Sequence, residues 1–403
     1  MINLRNLNVE RLYIKILLLF PIFTIFQKGI LSGINKGLFA LLAFGFFWVF
    51  LRDAKIRKKD ALTVAGLLFV CLNMIVKLRL PIYNVNEVFY FPFLILYVIK
   101  TKENKSFIKN LFLENVTYVN RIIMVWSVIV GASIFFPGSY RSSAGTNYRF
   151  FVSFAESTFR LEPSAYFITC LIIMLFVLTK NKKTLFYLAI PFYTFFMGDT
   201  RTYFGAGALV ILAFWYIYCP KKKYFYMSLI PIILIAIAIY GNSAIAGKVS
   251  ATQYTSKSYF DYWGTLTNGR SIFWEVDLNA FNKMPFMDRL LGCGINFVYE
   301  TNKNSLLVRN AIWAHNDFIN VLLGFGYIGL LVYVTIIYKM FSILENCPIM
   351  IKLLLFLSWF IIATFNMFYT YFCSMLSMPI LFVVVNECLM EKQNIQDYIG
   401  EKM

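Results

Sequence analysis

The only histidine of the chain lies where a polar segment meets a long apolar run. His315 stands in the sequence Trp313-Ala-His-Asn-Asp317, directly ahead of the apolar stretch 318–334, and no other histidine occurs among the 403 residues. A lone imidazole cannot build a multi-histidine metal site. At a helix N-terminus the helix dipole disfavours the protonated imidazole, which leaves a neutral base near pH 7. The position predicts a general base. The simpler alternative is an interfacial histidine at a helix cap, with Asn316 or Asp317 as the N-cap.

Three arginines could hold an anion beside that base. Arg160 and Arg201 each stand just before an apolar run, and Arg270 lies in a long polar loop. A guanidinium group binds phosphate oxygens in a bidentate manner. A charge between two apolar runs is costly and needs a partner or a function, which makes Arg201 informative. A salt bridge from Arg201 to Asp199, snorkelling to lipid headgroups, and a solvated charge at Arg270 remain open alternatives.

Other polar and aromatic residues have two interpretations each. Glu162-Pro163 predicts a helix start whose carboxylate is favoured by the helix dipole, and a pairing of Glu162 with Arg160 or Arg201 stays open. The cluster 259–263, Tyr-Phe-Asp-Tyr-Trp, could stack on sugar rings or form part of an interfacial aromatic belt. A metal-assisted or carboxylate-base reaction is also not excluded, because the long loop contains three further carboxylates: Asp261, Glu275 and Asp277.

The elements that position these residues are membrane helices. Sixty per cent of the residues are hydrophobic and 14% are charged, and the apolar runs are too long and continuous for barrel strands. The sequence predicts an all-α polytopic membrane protein with about twelve spans, the seventh short enough to be tilted or broken. The predicted spans are Leu12 to Phe26, Lys36 to Leu51, Ala61 to Val76, Ile82 to Ile99, Val119 to Phe136, Glu162 to Leu178, Thr184 to Met197, Tyr203 to Tyr218, Tyr224 to Gly241, His315 to Tyr338, Ile351 to Tyr369 and Phe372 to Met390.

The net charge of +18 follows the predicted topology. Most cations fall on alternate short connections, the pattern of cytoplasmic loops, which predicts that both termini are cytoplasmic. Contact with anionic membrane lipid is enough to explain the basic residues, so we predict no nucleic-acid partner. On this topology Cys293 and Cys373 are the two cysteines on the outer side, where a single disulfide between them could form.

The predicted topology gives one integral membrane domain with a long external loop. Residues 1–241 contain helices 1–9, residues 242–314 form the extracytoplasmic loop, and residues 315–403 contain helices 10–12 and a cytoplasmic tail. Within the loop, the pattern predicts a short helix from Ile272 to Lys283 and a turn at Gly292-Cys-Gly294. Outside the cytoplasm there is no ATP, so a group transfer there needs a pre-activated, lipid-borne donor. A diphosphate-linked lipid fits, because its leaving group is neutralised by arginines.

The histidine motif resembles a known signature. His315-Asn316, nine residues and then Gly326-Tyr-Ile-Gly329 is similar at every specified position to the signature shared by bacterial O-antigen ligases and O-antigen polymerases. Further upstream motifs occur in the order that the family shows. They are Phe159-Arg-Leu-Glu-Pro-Ser164, Gly198-Asp-Thr-Arg201, Asn268-Gly-Arg-Ser-Ile-Phe-Trp274, Pro285 and Leu291-Gly-Cys-Gly294.

The resemblance implies a GT-C-like membrane glycosyltransferase that uses undecaprenyl-diphosphate-linked glycan without a metal or another cofactor. It implies that His315 deprotonates the acceptor sugar hydroxyl and that the donor diphosphate is bound by Arg201 and Arg270, with Arg160 as a third candidate. Asn316, Asp317 and Glu162 would support these groups. The site would face the periplasm from the inner membrane of a bacterial cell.

We predict an O-antigen polymerase that joins lipid-linked repeat units, because Glu162-Pro-Ser164 is closer to the polymerase variant of that motif. The ligase that transfers glycan to lipid A core is the first alternative, since it shares the histidine motif. A lipid-linked oligosaccharide flippase is the second. Paired repeats around a long central cytoplasmic connection are typical of transporters, whereas the long loop here is external and off-centre. Besides membrane lipid, a chain-length regulator protein is left open as a partner.

Overall fold

The computed structural model of the protein describes residues 12, 14–25, 61–77, 87–142, 149–153, 161–198, 200–219, 221–240 and 269–400, and this part of the chain is mostly helical. The α-helices are α1 (Phe20–Phe23), α2 (Ala61–Val76), α3 (Glu87–Glu103), α4 (Lys105–Glu114), α5 (Val116–Ser133), α6 (Leu161–Thr179), α7 (Ala189–Met197), α8 (Arg201–Tyr218), α9 (Lys222–Tyr240), α10 (Arg270–Lys283), α11 (Phe286–Leu291), α12 (Phe297–Asn304), α13 (Asp317–Phe341), α14 (Ile349–Phe365) and α15 (Phe372–Gly400). Short 3₁₀ turns lie at Pro137–Ser139, Lys182–Leu188 and Ser342–Leu344, and a two-stranded antiparallel hairpin pairs β1 (Tyr140–Ser142) with β2 (Arg149–Phe151).

Helices α6 and α15 form the centre of the bundle. Nearly every residue of α6 is buried, and the apolar part of α15 is buried to a similar extent. Hydroxyl groups join the neighbouring helices inside this apolar core: Tyr166 contacts Ser358 of α14 at 2.9 Å, and Tyr203 of α8 contacts Ser374 of α15 at 2.7 Å. These polar groups need such partners because hydrocarbon offers none.

The chain is a helical membrane protein, as the hydrophobic pattern predicts. In the described part of the chain, four helices are long and apolar enough to span a membrane, namely Val116–Ser133, Leu161–Thr179, Asp317–Leu344 and Phe372–Met390, and the apolar helices Ala61–Val76 and Ile349–Phe365 are shorter. The predicted number of twelve is not established, since the second predicted span lies outside the described residues. The seventh predicted span is indeed broken, into a 3₁₀ turn and α7.

The tenth predicted span, His315 to Tyr338, is wrong as a single continuous helix. Helix α13 starts at Asp317 and breaks at Gly326, where φ is 68° and ψ is −164°. The rings of Phe318 and Tyr333 lie 5.8 Å apart, whereas a straight helix would separate these positions by about 22 Å along its axis. The second half, residues 327–341, therefore runs back beside the first half, residues 317–325.

Both glycines of the signature are required by this break. The backbone of Gly326 occupies a region that is essentially closed to other residues, and a Cβ atom there would overlap the carbonyl oxygens of Arg289 and Leu290. A Cβ at Gly329 would overlap the side chain of Phe325, because the two halves of α13 meet at this point. The signature thus encodes a tight turn between two half-helices.

The loop before α13 closes the end of its first half. The backbone N–H groups of Cys293 and Gly294 donate to the carbonyl oxygens of Leu323 and Gly324, both at 2.9 Å. These are carbonyl groups that a helix end leaves without an intrahelical partner. The predicted turn at 292–294 is confirmed, with positive φ at both of its glycines.

The ends of several helices meet where the long loop returns. The Glu162 carboxylate, at the start of α6, accepts a hydrogen bond from the backbone of Thr200, just before α8. Arg270 at the start of α10 contacts Asn366 at the end of α14. Glu162 and Arg270, two of the residues that the sequence singles out, thus lie at helix ends.

The suggested disulfide is not formed. Cys293 and Cys373 are both free and buried, and they lie in different surroundings. The sulfur of Cys293 lies 3.9 Å from that of Met284, while the sulfur of Cys373 lies 3.6 Å from the hydroxyl of Thr24.

Candidate functional site

His315 stands in a strained segment just ahead of α13. Its φ of 52° places it in the left-handed region, which non-glycine residues rarely occupy and which is enriched at functional sites. The imidazole lies against Phe273 of α10, with ring centroids 6.2 Å apart and planes at 29°, and Trp313 approaches it edge-on at 6.0 Å. Trp274 donates from its indole nitrogen to the carbonyl oxygen of Ala314 at 2.9 Å. Helix α10 thus positions the histidine.

The surroundings keep this imidazole neutral. Burial, and then the positive charge of Arg270, lower the pKa of His315 from 6.5 to about 3. Both causes act against the charged form, because a buried cation loses solvation and a like charge repels it. The predicted neutral base is consistent with this direction, although the physical cause is burial and Arg270 rather than the helix dipole alone.

The two ring nitrogens of His315 have different surroundings. Nδ1 is buried and is bonded to no residue in the described part of the chain. Nε2 is consequently the nitrogen that is suited to accept a proton from a substrate. In that tautomer Nδ1 keeps its hydrogen without a described acceptor, so ring packing and the backbone, rather than a carboxylate, orient this imidazole.

Arg270 is the cation that the structure brings to the histidine. It is half-buried, it begins α10 after Gly269, and its Nη2 donates to Oδ1 of Asn366 over 3.4 Å. Its effect on the pKa of His315 shows that the two charges would interact. An anion could contact this guanidinium group and at the same time bring an acceptor close to the imidazole.

Arg201 lies at the same end of the bundle, farther from the histidine along a row of rings. It is half-buried at the first position of α8. Two residues later, Tyr203 packs 6.2 Å from Tyr371, which packs 6.5 Å from Trp313, the neighbour of His315. The rings of Tyr203, Tyr371 and Trp313 thus connect the start of α8 with the segment that contains His315.

Glu162 joins the start of α6 to the segment before α8. It is 3% exposed, and its Oε1 accepts the backbone N–H of Thr200 at 3.2 Å, directly before Arg201. The predicted helix start is confirmed, and the contact shows how this carboxylate can hold Arg201 in place. Arg160 lies outside the described residues.

Asn316 and Asp317 fix the start of α13. The Asn316 side chain accepts the backbone N–H of Ile319 at 3.1 Å, which confirms it as the N-cap. Asp317 is completely buried, and its Oδ2 accepts hydrogen bonds from the Tyr333 hydroxyl at 2.5 Å and from the backbone of Phe368 at 3.0 Å. It thereby links the two halves of α13 to the segment after α14.

The carboxylates considered for other chemistry are separated. Asp261 lies outside the described residues, Glu275 is exposed on α10, and Asp277 is fully buried between α10 and α12, bonded to Asn302. Burial raises the pKa of Asp277 from 3.8 to about 7. Within the described ranges, no three His, Cys, Asp or Glu side chains gather into a group that could hold a metal ion.

Sequence reasoning missed several residues around the base. Asn366 receives Arg270, and Asn302 binds both Asp277 and the segment before His315. Neither asparagine belongs to a recognisable spacing, so only the tertiary contacts reveal them. Trp313 could have been identified from the sequence, because it lies two residues before the histidine in the motif Trp313-Ala-His-Asn-Asp317.

The fold and the site together define a helical membrane protein with a neutral histidine and cationic side chains at one end of its bundle. Residues 186–334 match the model of the O-antigen ligase family, a stretch that includes Arg201, Arg270, His315 and both signature glycines. This match to residues 186–334 confirms the resemblance to the O-antigen ligase and polymerase family. No curated protein matches the chain.

Proposed function

We propose that the protein is an inverting, metal-independent glycosyltransferase that polymerises lipid-linked repeat units of a surface polysaccharide. The donor would be a glycan on undecaprenyl diphosphate, and the acceptor a sugar hydroxyl of the next lipid-linked unit. The observation that carries this proposal is the position of His315 near enough to the cationic Arg270 for that charge to lower its pKa, inside the region that matches the family. By the positive-inside pattern, the site would face the periplasm from the inner membrane, with both termini cytoplasmic.

The chemistry needs one base and a positively charged leaving-group site. Nε2 of His315 takes the proton of the acceptor hydroxyl, and the hydroxyl oxygen forms a bond to the anomeric carbon of the donor. The bond from that carbon to the diphosphate oxygen breaks, and the electron pair leaves with the diphosphate. Arg270 and Arg201 neutralise the released charge. Attack on the face opposite the leaving group inverts the anomeric centre.

A ligase that transfers the glycan to lipid A core is the second candidate. The matched family model carries the ligase description, and the base and cations would serve either acceptor. The polymerase is preferred because of Glu162-Pro-Ser164, whose glutamate is bound to the segment before Arg201. The two functions differ in the acceptor alone.

The deciding experiment uses purified protein and one lipid-linked repeat unit without another acceptor. A ladder of products supports the polymerase. Products that form only after addition of lipid A core support the ligase, and no product in either mixture contradicts both. Activity that is lost with a chelator and restored by a divalent cation would contradict the metal-independent reaction.

Variants of the two central residues test the assigned roles in the same assay. His315→Ala should lower turnover by about a hundred- to ten-thousand-fold, the usual contribution of a positioned base, and Arg270→Ala should weaken donor binding and turnover together. Arg309→Ala, an exposed arginine in the same loop, is the matched control. Full activity of either site variant at normal protein levels would remove that residue from the mechanism.

A further inference from the structure

Asp277 and Asn302 are linked by hydrogen bonds to the backbone just before His315. A general base must be oriented within a fraction of an ångström, and a carboxylate bonded to the second ring nitrogen often does this. The Nδ1 atom of His315 has no such bond in the described part of the chain, and its φ of 52° is unfavourable. Other contacts must maintain this conformation.

Helix α10 supplies these contacts from one face. Arg270, Phe273 and Asp277 follow each other at intervals of three and four residues, which places them on the same side of the helix. Phe273 packs on the imidazole, and Trp274 beside it donates to the carbonyl oxygen of Ala314. Asp277 lies on the same face, one helical turn after Phe273, and Asn302 links it to Ile312, ahead of the histidine.

Asn302 of α12 connects that carboxylate to the histidine segment. Its Nδ2 lies 3.3 Å and 3.4 Å from the two carboxylate oxygens of Asp277, and it donates to the carbonyl oxygen of Ile312 at 3.0 Å. Both Asn302 and Asp277 are completely buried. The amide group of Asn302 thus bonds both to the side chain of Asp277 and to the backbone of Ile312, three residues before His315.

The carboxylate fixes the orientation of this amide. If the Asn302 side chain were rotated by half a turn, its oxygen would take the place of its nitrogen. That oxygen would then face the carbonyl oxygen of Ile312 and repel it. The acceptor oxygens of Asp277 also make this rotated orientation unfavourable, because Oδ1 of Asn302 would then face a carboxylate oxygen of Asp277. The bond from Asn302 to Ile312 therefore depends on the residue at 277.

We propose that Asp277 and Asn302 are positioning residues for His315, which they hold through the backbone of segment 312–315. This inference rests on the proposed function, in which His315 is the base. It requires an acceptor at position 277 but no negative charge, since an uncharged amide oxygen can accept the same hydrogen. It therefore differs from the alternative in which Asp277 itself is a base or a metal ligand.

Four variants separate these possibilities. Asp277→Asn keeps an acceptor, Asp277→Ala removes it, and Asn302→Ala removes the link itself. Glu275→Ala, at an exposed position on the same helix, is the control. Turnover and KM are measured with lipid-linked repeat units. In parallel, the imidazole is observed by NMR in micelles with ¹⁵N-labelled histidine, which gives the signals of one residue because the chain has one histidine.

We expect Asp277→Ala and Asn302→Ala to lower kcat by up to about a hundredfold, to change KM for the donor less, and to shift the imidazole resonances. Asp277→Asn should retain most of the activity and the resonances of the wild type, as should Glu275→Ala. If Asp277→Asn is as inactive as Asp277→Ala, the carboxylate acts chemically and the positioning role is wrong. Wild-type kcat and unshifted resonances in both alanine variants would also overturn it.

The NMR measurement stands apart from the proposed function. If the wild type transfers no glycan to any acceptor, the proposed function fails, while the shift of the imidazole signals still reports whether Asp277 positions His315. Should both alanine variants fail to fold, Trp274→Phe provides a milder test, because it removes the hydrogen bond to Ala314 and keeps an aromatic ring at this position. Unshifted resonances and an unchanged kcat in that variant would contradict control of His315 through its backbone.

Discussion

The protonation of His315 should respond to an anion bound at Arg270. Burial and the positive charge of Arg270 together lower the pKa of this imidazole to about 3, burial being the larger cause. A diphosphate bound to the guanidinium group would place negative charge beside the imidazole. It would offset the effect of the Arg270 charge on the pKa but not the effect of burial. We therefore expect diphosphate binding to raise the pKa of His315 and to leave it below 6.5.

The size of the effect matters for catalysis. Lowering the pKa from 6.5 to about 3 makes protonation of the imidazole less favourable by about 5 kcal/mol, since one pKa unit corresponds to roughly 1.4 kcal/mol. Such an imidazole is a neutral but weak base, and each unit regained on diphosphate binding would make it tenfold more ready to receive the acceptor proton. The donor would thus increase the basicity of the group that activates the acceptor.

The assay is a pH titration of the single histidine by ¹⁵N NMR in micelles, with a purification tag that contains no histidine. In the free wild type, the imidazole signals should stay those of the neutral ring from pH 8 to pH 5. Farnesyl diphosphate, a short diphosphate-linked isoprenoid, should move the titration upward. Arg270→Gln should raise the pKa of the free protein and abolish the response, whereas Arg309→Gln, at an exposed position, should change neither.

Two results would refute this reasoning. A pKa near 6.5 in the free protein would mean that burial and Arg270 do not act on the imidazole as the structure implies. A farnesyl diphosphate complex in which the pKa is unchanged or lower would mean that the anion does not bind between Arg270 and His315.

Three further predictions concern the break in α13, the second arginine and the buried acid. Gly326→Ala should destabilise the protein by at least about 1–3 kcal/mol and abolish activity, while Gly324→Ala, whose added carbon would meet its nearest atoms at 3.8 Å, should be tolerated in thermal unfolding and transfer assays. Arg201→Lys keeps the charge but loses the bidentate geometry, so KM for the diphosphate donor should rise; unchanged kinetics would make Arg201 structural. Burial raises the pKa of Asp277 from 3.8 to about 7, so the folded protein binds its proton more tightly than the unfolded chain does. The contribution of this proton to the free energy of unfolding is complete below pH 3.8 and is lost as the pH rises through about 7. Between these values the stability of the wild type should fall by about 4 kcal/mol relative to Asp277→Asn, which thermal unfolding at several pH values would measure.

Long apolar runs made much of the fold predictable. The third predicted span coincides with α2, and the sixth differs from α6 by one residue at each end. These helices follow from local hydrophobicity, because a spanning segment must satisfy its backbone internally. The break at Gly326 could not be predicted in this way, since the run stays apolar on both sides of it. It depends on the loop at residues 289–294, which packs into the turn and binds the carbonyl groups of the first half-helix.

The residues proposed to react were more predictable than the residues that support them. His315 and Arg270 stand in motifs, and the chemistry proposed for them follows from residue type and position. Asn302 and Asn366 are common polar residues, separated from Asp277 and Arg270 by 25 and 96 positions in the chain. No local pattern brings them together, so their roles follow from helix packing alone. The spacing of Arg270, Phe273 and Asp277 along α10 and the position of Trp313 beside the histidine did offer a signal in the sequence.

The broken helix explains why a histidine at the start of a membrane helix has so low a pKa. In a straight helix, Asp317 and His315 would stand at one extreme end, where water reaches the imidazole. Because α13 turns back at Gly326, Asp317 instead lies beside Tyr333, in the second turn of the returning half, and is completely buried there. The imidazole, two residues earlier, is half-buried, and the positive charge of Arg270 acts on it. The signature's histidine and its two glycines are therefore linked in the structure: the glycines permit the turn, and the turn buries Asp317, two residues after His315.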